Sequence, residues 1–535
     1  MAENRTVSSE LPKLREVDYF AMNTSGHIEL LPSLHLFQDT CNVYVICDGD
    51  ESLVIDFGSG AWLDAARALG LPEIRRVYLT HHHADQCSGL LTSGLKKLEV
   101  HAPAGEEPFL SREGVAALQN DRGGMMWFPQ SYGLLDQGFP SGTLQYDMED
   151  FDDHYWQKYR IRFVSTPGHG PGAVSLVLDH EGKELAFCGD AFHSGATLHQ
   201  PYCLEWDHWT ATGALAAWQG VRRLASLGLD MLLSSHGPVV AHQPRRQLTA
   251  LAKKLQKFIE VKGSICAGEK DSYVTPCRFF ASGAKEIVPG LYWFHNGGYL
   301  LVSDTGEALI TDPAGDLSEL EALLSELPPL KITAQTVTHI HGDHMNAVEL
   351  VRQRYGTPLW LHPWVAEPLA RGRCGDIPYL TRTPLQADAL WPEEGEWRWN
   401  EFLFQIAPLP GQTWWHCGFM TTISGQRVLF GGDTFQPASR WNGTGGFCSI
   451  NGSRFREGFA ASAKKILEWK PDIMVNGHGT WMHVSPSYFR KVLHWAEKAE
   501  KATAALCPDS DLETHYYLHS CPEGLRPKNL TENPK

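Results

Sequence analysis

One structural unit is written twice in this chain. Thr80 to Gln86 read THHHADQ and Thr338 to His344 read THIHGDH, so both carry the frame T-H-x-H-x-D. Three more segments follow each in the same order. They are TPGHG with His169, LAFCGDAF with Asp190 and LLSSHGPV with His236, then LPGQT with Gln412, VLFGGDTF with Asp433 and MVNGHGT with His478. Positions 169 and 190 are 21 apart, as are 412 and 433; 190 and 236 are 46 apart, 433 and 478 are 45. Pro244 and Pro486 each stand eight residues past the last histidine and open amphipathic helical patterns, and Asn42 and Asp56 match Asn296 and Asp312. Ordered self-similarity of this kind marks a duplicated domain, and 535 residues is too long for one ordinary domain. We place copy one at residues 17–262, a polar linker at 263–282, copy two at 283–503 and a flexible tail at 504–535.

Composition narrows the partners. Lys+Arg 46 against Asp+Glu 62 gives a net charge of −16, which argues against a broad phosphate-binding surface and so against nucleic acid. No run of eighteen apolar residues is present and the first residues are polar, so a cytoplasmic protein without a membrane partner is expected. The 12 cysteines form no C-x-x-C pair and read as reduced, buried thiols. Function is sought instead among the 25 histidines.

Each T-H-x-H frame follows a short apolar run, RVYL or AQTV, which sets it at the end of a strand. Alternate residues leaving a strand share a face, so His81 and His83, or His339 and His341, can reach one ion. Imidazoles suit zinc or iron, Asp85 and Asp343 offer oxygen to a neighbouring ion, and aspartates after later strands can bridge two. Two ions in one pocket activate water and polarise the group attacked.

The four pieces in order resemble the metallo-β-lactamase superfamily, whose pattern is H-x-H-x-D-H, a PGH histidine, a bridging GD aspartate and a late histidine. The resemblance implies an α/β fold, an αββα sandwich, in two tandem copies. It implies His81, His83 and His169 for a first metal of copy one, Asp85 and His236 for a second, and Asp190 between them. In copy two it implies His339 and His341 for the first metal, Asp343, His344 and His478 for the second, and Asp433 as bridge. Asp85, Asp190, Asp343 and Asp433 are the catalytic carboxylates on this reading. Each copy departs once: Gln86 stands where the second metal expects histidine, and Gln412 where the PGH histidine belongs. His416, four residues after Gln412, is a candidate replacement. Zinc is the expected ion, up to two per domain, with iron or manganese as alternatives.

The leading expectation is a hydrolase using a metal-bound hydroxide on a small ester, lactone, thioester or amide, with copy one as the principal catalyst. A mononuclear non-haem iron, sulfur dioxygenase-like enzyme is the first alternative. A nuclease-related or partly non-catalytic tandem scaffold is the second. No G-x-S-x-G, P-loop or Rossmann fingerprint competes, and Cys87 is expected to pack beneath the motif. His81 and His169 are 88 positions apart in copy one, whereas His339 and Gln412 are 73 apart in copy two. The extra segment, Asp121 to Phe139, suits a lid or substrate wall, or a seam between the copies. An internal pseudo-dimer is the expected arrangement. A lone buried histidine is ordinarily hydrogen-bonded core, and His82, His193, His199, His208, His242 and His295 are read that way. Asp56 and Asp312 are expected to orient ligand rings.

Overall fold

The computed structural model describes residues 26–95, 97–119, 133–263, 270, 272–371 and 384–517. Copy one is built on two sheets. A seven-stranded sheet runs in chain order from His27–Leu31 to Gln145–Met148, and a five-stranded sheet runs from Met231–Ser234 to Asp153–Trp156. Copy two repeats the plan with an eight-stranded sheet, Arg278–Phe279 to Ala389–Leu390, and a six-stranded one, Gly395–Trp399 to Thr480–His483. The two tandem αββα sandwiches implied by the resemblance are therefore present.

Side-chain alternation explains the layering. In strand Asn42–Asp48, Tyr44 and Ile46 face the second sheet, together with Leu176 and Leu178 of Val174–His180. Val43 and Val45 face the other way, onto Trp62, Leu63 and Ala66. Val177 likewise turns outward onto helices Thr212–Ser226 and Pro244–Lys262. Copy two splits in the same way: Leu301 and Leu309 enter the inter-sheet core, whereas Leu300, Ala308 and Ile310 pack beneath helix Ser318–Glu326. Both faces of each sheet are thus apolar, and the motif loops emerge at the strand ends between the layers.

The described part of the tail, as far as Tyr517, differs from the expectation of a flexible segment, and residues 518–535 lie outside the described residues. Helix Pro486–Ala504 continues into packed chain as far as Tyr517, and Tyr516 is fully buried. An aromatic cluster with Phe447 and Phe455 of copy two takes it up. Part of the inserted segment, residues 121–132, lies outside the described residues. Its remainder joins copy one's own core through Leu135 and Phe139. Among the described residues no helix is long and apolar enough to cross a membrane.

Candidate metal centres

In copy one, strand Glu73–Tyr78 ends at Thr80, and Thr80 is gripped by Asp56, which sits at positive φ (54°) after strand Glu51–Ile55. The Thr80 amide donates to Asp56 Oδ1 (2.9 Å) and the Thr80 hydroxyl to Oδ2 (3.0 Å). Because a carboxylate only accepts, the same hydroxyl accepts from His81 Nδ1 (3.0 Å), which leaves the Nε2 lone pair of His81 as the ligand atom. Copy two builds the same relay, Asp312 to Thr338 (2.7 Å) to His339 Nδ1 (3.0 Å). Asp56 and Asp312 therefore orient these rings through a threonine, although Asp312 also reaches His344 Nδ1 directly at 3.3 Å.

The glycine of each GD pair packs against this relay. A Cβ at Gly189 (φ 54°) would lie 2.9 Å from Thr80 Oγ1, and one at Gly432 (φ 51°) would lie 2.7 Å from Thr338 Oγ1. Only glycine fits there, so the T-H and G-D motifs recur together.

Copy one brings two donor sets together. The ligand atoms of His81, His83 and His169 all lie within 4.8 Å of one another, and those of Asp85, His199 and His236 form a second such group. Asp190 stands between them: its Oδ2 is 3.7 Å from His81 Nε2 and 3.4 Å from His169 Nε2, and its Oδ1 is 2.9 Å from His236 Nδ1. His236 Nε2 is 3.1 Å from Asp85 Oδ2. His199 departs from the sequence reading, which placed it in the core. It stacks on His236 with ring centroids 3.7 Å apart and takes a place in the donor set that Gln86 does not. Gln86 is buried with its Oε1 unbonded. No spacing rule reveals His199, because it comes from the loop after the GD strand and meets its partners only in the fold.

Copy two holds His339, His344 and Asp433 in one group and Asp343, His344 and His478 in another. Asp433 Oδ2 lies 3.4 Å from His344 Nε2 and 3.0 Å from His478 Nε2. Gln412 points its Nε2 at Asp433 Oδ2 (3.3 Å) and at the Gly445 carbonyl (3.0 Å). His416 joins neither group. It stacks against His339 at 5.0 Å, and its Nε2 accepts the Asp433 backbone amide at 3.3 Å.

Electrostatics separate the histidines. Burial, then neighbouring imidazoles, pushes His83 down to about 3 and drives His81 and His169 well below their ordinary value. His236 is the opposite case: burial disfavours its cation, but Asp190 and Asp85 outweigh it and raise the pKa to about 11. Burial raises Asp56 to about 7 against hydrogen bonds from Ser235 and Thr80. The donors fit a cation on their own chemistry: imidazoles and carboxylates converge, and His81 Nε2 and His339 Nε2 are buried without a hydrogen bond.

Other expectations find their places. His82 is fully buried against Glu106, whose second oxygen accepts the Gly172 amide (2.6 Å) and ties the HHH loop to the PGH loop. Cys87 lies beneath the motif with its thiol 3.3 Å from the His83 carbonyl. Gly133, from the inserted segment, sits so close to the His83 ring that a Cβ would lie 2.2 Å away, which makes this stretch a pocket wall. His242 is exposed. A further cluster, His101, Asp147 and His154, lies outside both pockets as a hydrogen-bonded network with Tyr78.

A family model described as the metallo-beta-lactamase superfamily matches residues 36–236 and again 296–478. The probable metallo-hydrolase YqgX of Bacillus subtilis is 31% identical over 121 residues, covering 22% of this chain and 55% of its own length. Hydroxyacylglutathione hydrolase GloC of Haemophilus influenzae is 27% identical over 206 residues, covering 37% of this chain and 91% of its own. Among solved structures, BJP-1, a subclass B3 metallo-beta-lactamase of Bradyrhizobium japonicum, aligns at TM-score 0.34 and 17% identity over 43% of this chain and 92% of that one. With each copy matched from its early strands to its last motif histidine, the chain belongs to the metallo-β-lactamase superfamily and carries the domain twice.

Proposed function

We propose that copy one is a metal-dependent hydrolase of small acyl compounds, with a thioester first among the ester, lactone, thioester and amide classes. One observation carries this reading: two three-donor sets, His81/His83/His169 and Asp85/His199/His236, flank Asp190 in a single pocket. The choice of a thioester rests on relatives named hydroxyacylglutathione hydrolases. Imidazole and carboxylate donors favour zinc.

Ions held in these sets supply an activated water and a Lewis acid for the acyl oxygen. The chain's own part is orientation and proton placement. The Asp56–Thr80 relay fixes the His81 tautomer, and Glu106 braces the two loops that carry His81, His83 and His169. His236 lies within hydrogen-bond reach of both Asp190 and Asp85, and a cation held by this set would take the place of the proton they share. Gly133 closes one side of the pocket against the His83 ring. The same reading has the copies associate as an internal pseudo-dimer, supported by the contact of helix Pro486–Ala504 with helix Pro244–Lys262, where Trp495 Nε1 donates to the Val261 carbonyl (2.8 Å).

The test is turnover of matched thioester, ester, lactone and amide panels by zinc-loaded and chelator-stripped protein. Hydrolysis that is lost on stripping and restored by zinc is expected. A fully loaded chain inert toward every panel contradicts the proposal.

A second reading applies to copy two alone. His339, His344 and Asp433 form a two-imidazole, one-carboxylate set, which suits mononuclear iron and a sulfur dioxygenase-like activity. Oxygen uptake by the iron-loaded chain with a persulfide supports it, and none sinks it.

A further inference from the structure

Copy one carries a third donor cluster, at the free edge of its sandwich. Strand Gln145–Met148 ends the seven-stranded sheet and strand Asp153–Trp156 ends the five-stranded one, so Asp147 and His154 stand on the two outermost strands. His101 comes from the neighbouring strand Glu99–Pro103. One ligand atom from each of the three lies within 4.8 Å of the others. His101 Nδ1 is 3.0 Å from each Asp147 oxygen, whereas His154 Nε2 is 3.9 Å from Oδ2, beyond hydrogen-bonding distance. His101 Nε2 is buried without a hydrogen bond. Ligand atoms about 2.1 Å from one zinc ion lie roughly 3.4 Å apart in a tetrahedron, between those two separations.

Tyr78 sets the second imidazole. Its hydroxyl lies 3.1 Å from His154 Nδ1 and can accept from Nδ1–H, the outer support that ligating histidines ordinarily have, which puts the His154 lone pair on Nε2. The Tyr78 ring also stacks on His101, with centroids 4.9 Å apart. Burial lowers the His154 pKa, although Asp147 opposes it, so the ring is a neutral donor near pH 7. Arg76, which reaches the Tyr78 oxygen at 3.4 Å, has its own charge met by Glu99 at 2.9 Å. The Asp147 side chain is 40% exposed, which leaves a way in for an ion and room for water on it.

Copy two shows what the sandwich itself needs at this place. Tyr78, two residues before Thr80, pairs with His101, and Thr336, two residues before Thr338, pairs with Trp360. His101 pairs in turn with Gln145 and Trp360 with Ala389, so Asp147 corresponds to Trp391. His154 and Trp397 each stand two residues before the tryptophan that closes the next hairpin, Trp156 paired with Tyr159 or Trp399 with Phe402. The three tryptophans pack together, Trp397 lying 5.3 Å from Trp360 and 5.4 Å from Trp391. Apolar rings therefore close this edge in copy two, and the fold does not demand three metal-ligating side chains at the same positions of copy one.

We propose that His101, Asp147 and His154 bind a zinc-type divalent cation at a site separate from both motif pockets, where the ion clips the two sheets of copy one together at their free edge. Two imidazoles and a carboxylate suit zinc, with water as the fourth ligand. The proposal does not rest on hydrolysis by copy one.

The experiment loads the full chain with Zn²⁺, exchanges it into metal-free buffer and counts bound metal for the parent, Asp147→Asn and His154→Phe. Each variant is expected to hold one zinc fewer per chain than the parent. Reaction of His154 with diethyl pyrocarbonate, followed by peptide mass, is expected to slow by at least about ten-fold when zinc is added, because the ion occupies the nitrogen that reacts. The same slowing is expected in Asp190→Ala/Asp433→Ala, which separates this ion from those of the motif pockets. Equal zinc content in the parent and both variants overturns the proposal. So does a His154 reaction rate that zinc leaves unchanged, a result read on the parent chain and independent of whether either variant folds.

Discussion

His208 Nε2 lies 3.2 Å from Asn451 Nδ2, and each residue stands 18 places after the GD-motif aspartate of its own copy, Asp190 or Asp433. Equivalent positions of a duplicated unit meeting each other is what a two-fold contact produces. One of the two is an imidazole and the other an amide, and their side chains meet across the contact between the copies.

That junction is packed against glycine. Gly446 has φ of +100° and no room for a Cβ beside His208. Gly446→Ala is expected to cost about 2 kcal/mol or more through strain and overpacking, read as a lower denaturant midpoint. A melt matching the parent would contradict the packing described.

Buried charge at the same junction depends on the tail. Tyr516 donates its hydroxyl to Glu205 Oε1, while Ser449 occupies Oε2. Burial raises the Glu205 pKa, and the charge of Lys262 and then the hydrogen bonds from Tyr516 and Ser449 oppose that. Tyr516→Phe leaves a buried carboxylate oxygen without that donor and is expected to destabilise by about 1–3 kcal/mol. Removing residues past 510 is expected to do at least as much, measured by thermal unfolding.

His199 is testable by metal content. His199→Ala is expected to strip one equivalent from copy one on dialysis, leaving the His81/His83/His169 ion in place, and adding Gln86→His is expected to restore it. Retention of both ions in His199→Ala would show that stacking on His236 is its whole role.

Proton linkage gives a pH signature. In the metal-free chain the His236 pKa is raised to about 11, above its ordinary value near 6.5, so its stabilising contribution is complete below about pH 6.5 and is lost as pH rises toward 11. A cation takes that proton's place. Metal uptake at pH 8 is expected to release about one proton from this group and to tighten with rising pH, measured by calorimetry in buffers of different ionisation enthalpy. Uptake without proton release contradicts the role given to His236.

Much of the fold was readable because duplication leaves a spacing record, and because alternating apolar residues such as Val43, Tyr44, Val45 and Ile46 declare two buried faces. The relay Asp56–Thr80–His81 was half visible: the aspartate recurred in both copies, but the threonine's place between it and the ring is a matter of geometry. His199 and His208 were not legible. Both lie in a loop whose residues differ between the copies although its spacing is kept, and their partners are distant in sequence or belong to the other copy. Tyr516 was hidden for a similar reason, since a polar, proline-containing tail gives no sign that Glu205 waits for its hydroxyl.

The central proposal is that copy one does the hydrolysis, and paired removal of the Asp190 and Asp433 carboxylates tests it most directly. Acyl turnover and metal content are measured for the parent, Asp190→Ala and Asp433→Ala. Loss of turnover by at least about a hundred-fold in Asp190→Ala, with turnover retained in Asp433→Ala, is the expected result. Turnover that survives without Asp190 and disappears without Asp433 would assign the chemistry to copy two instead.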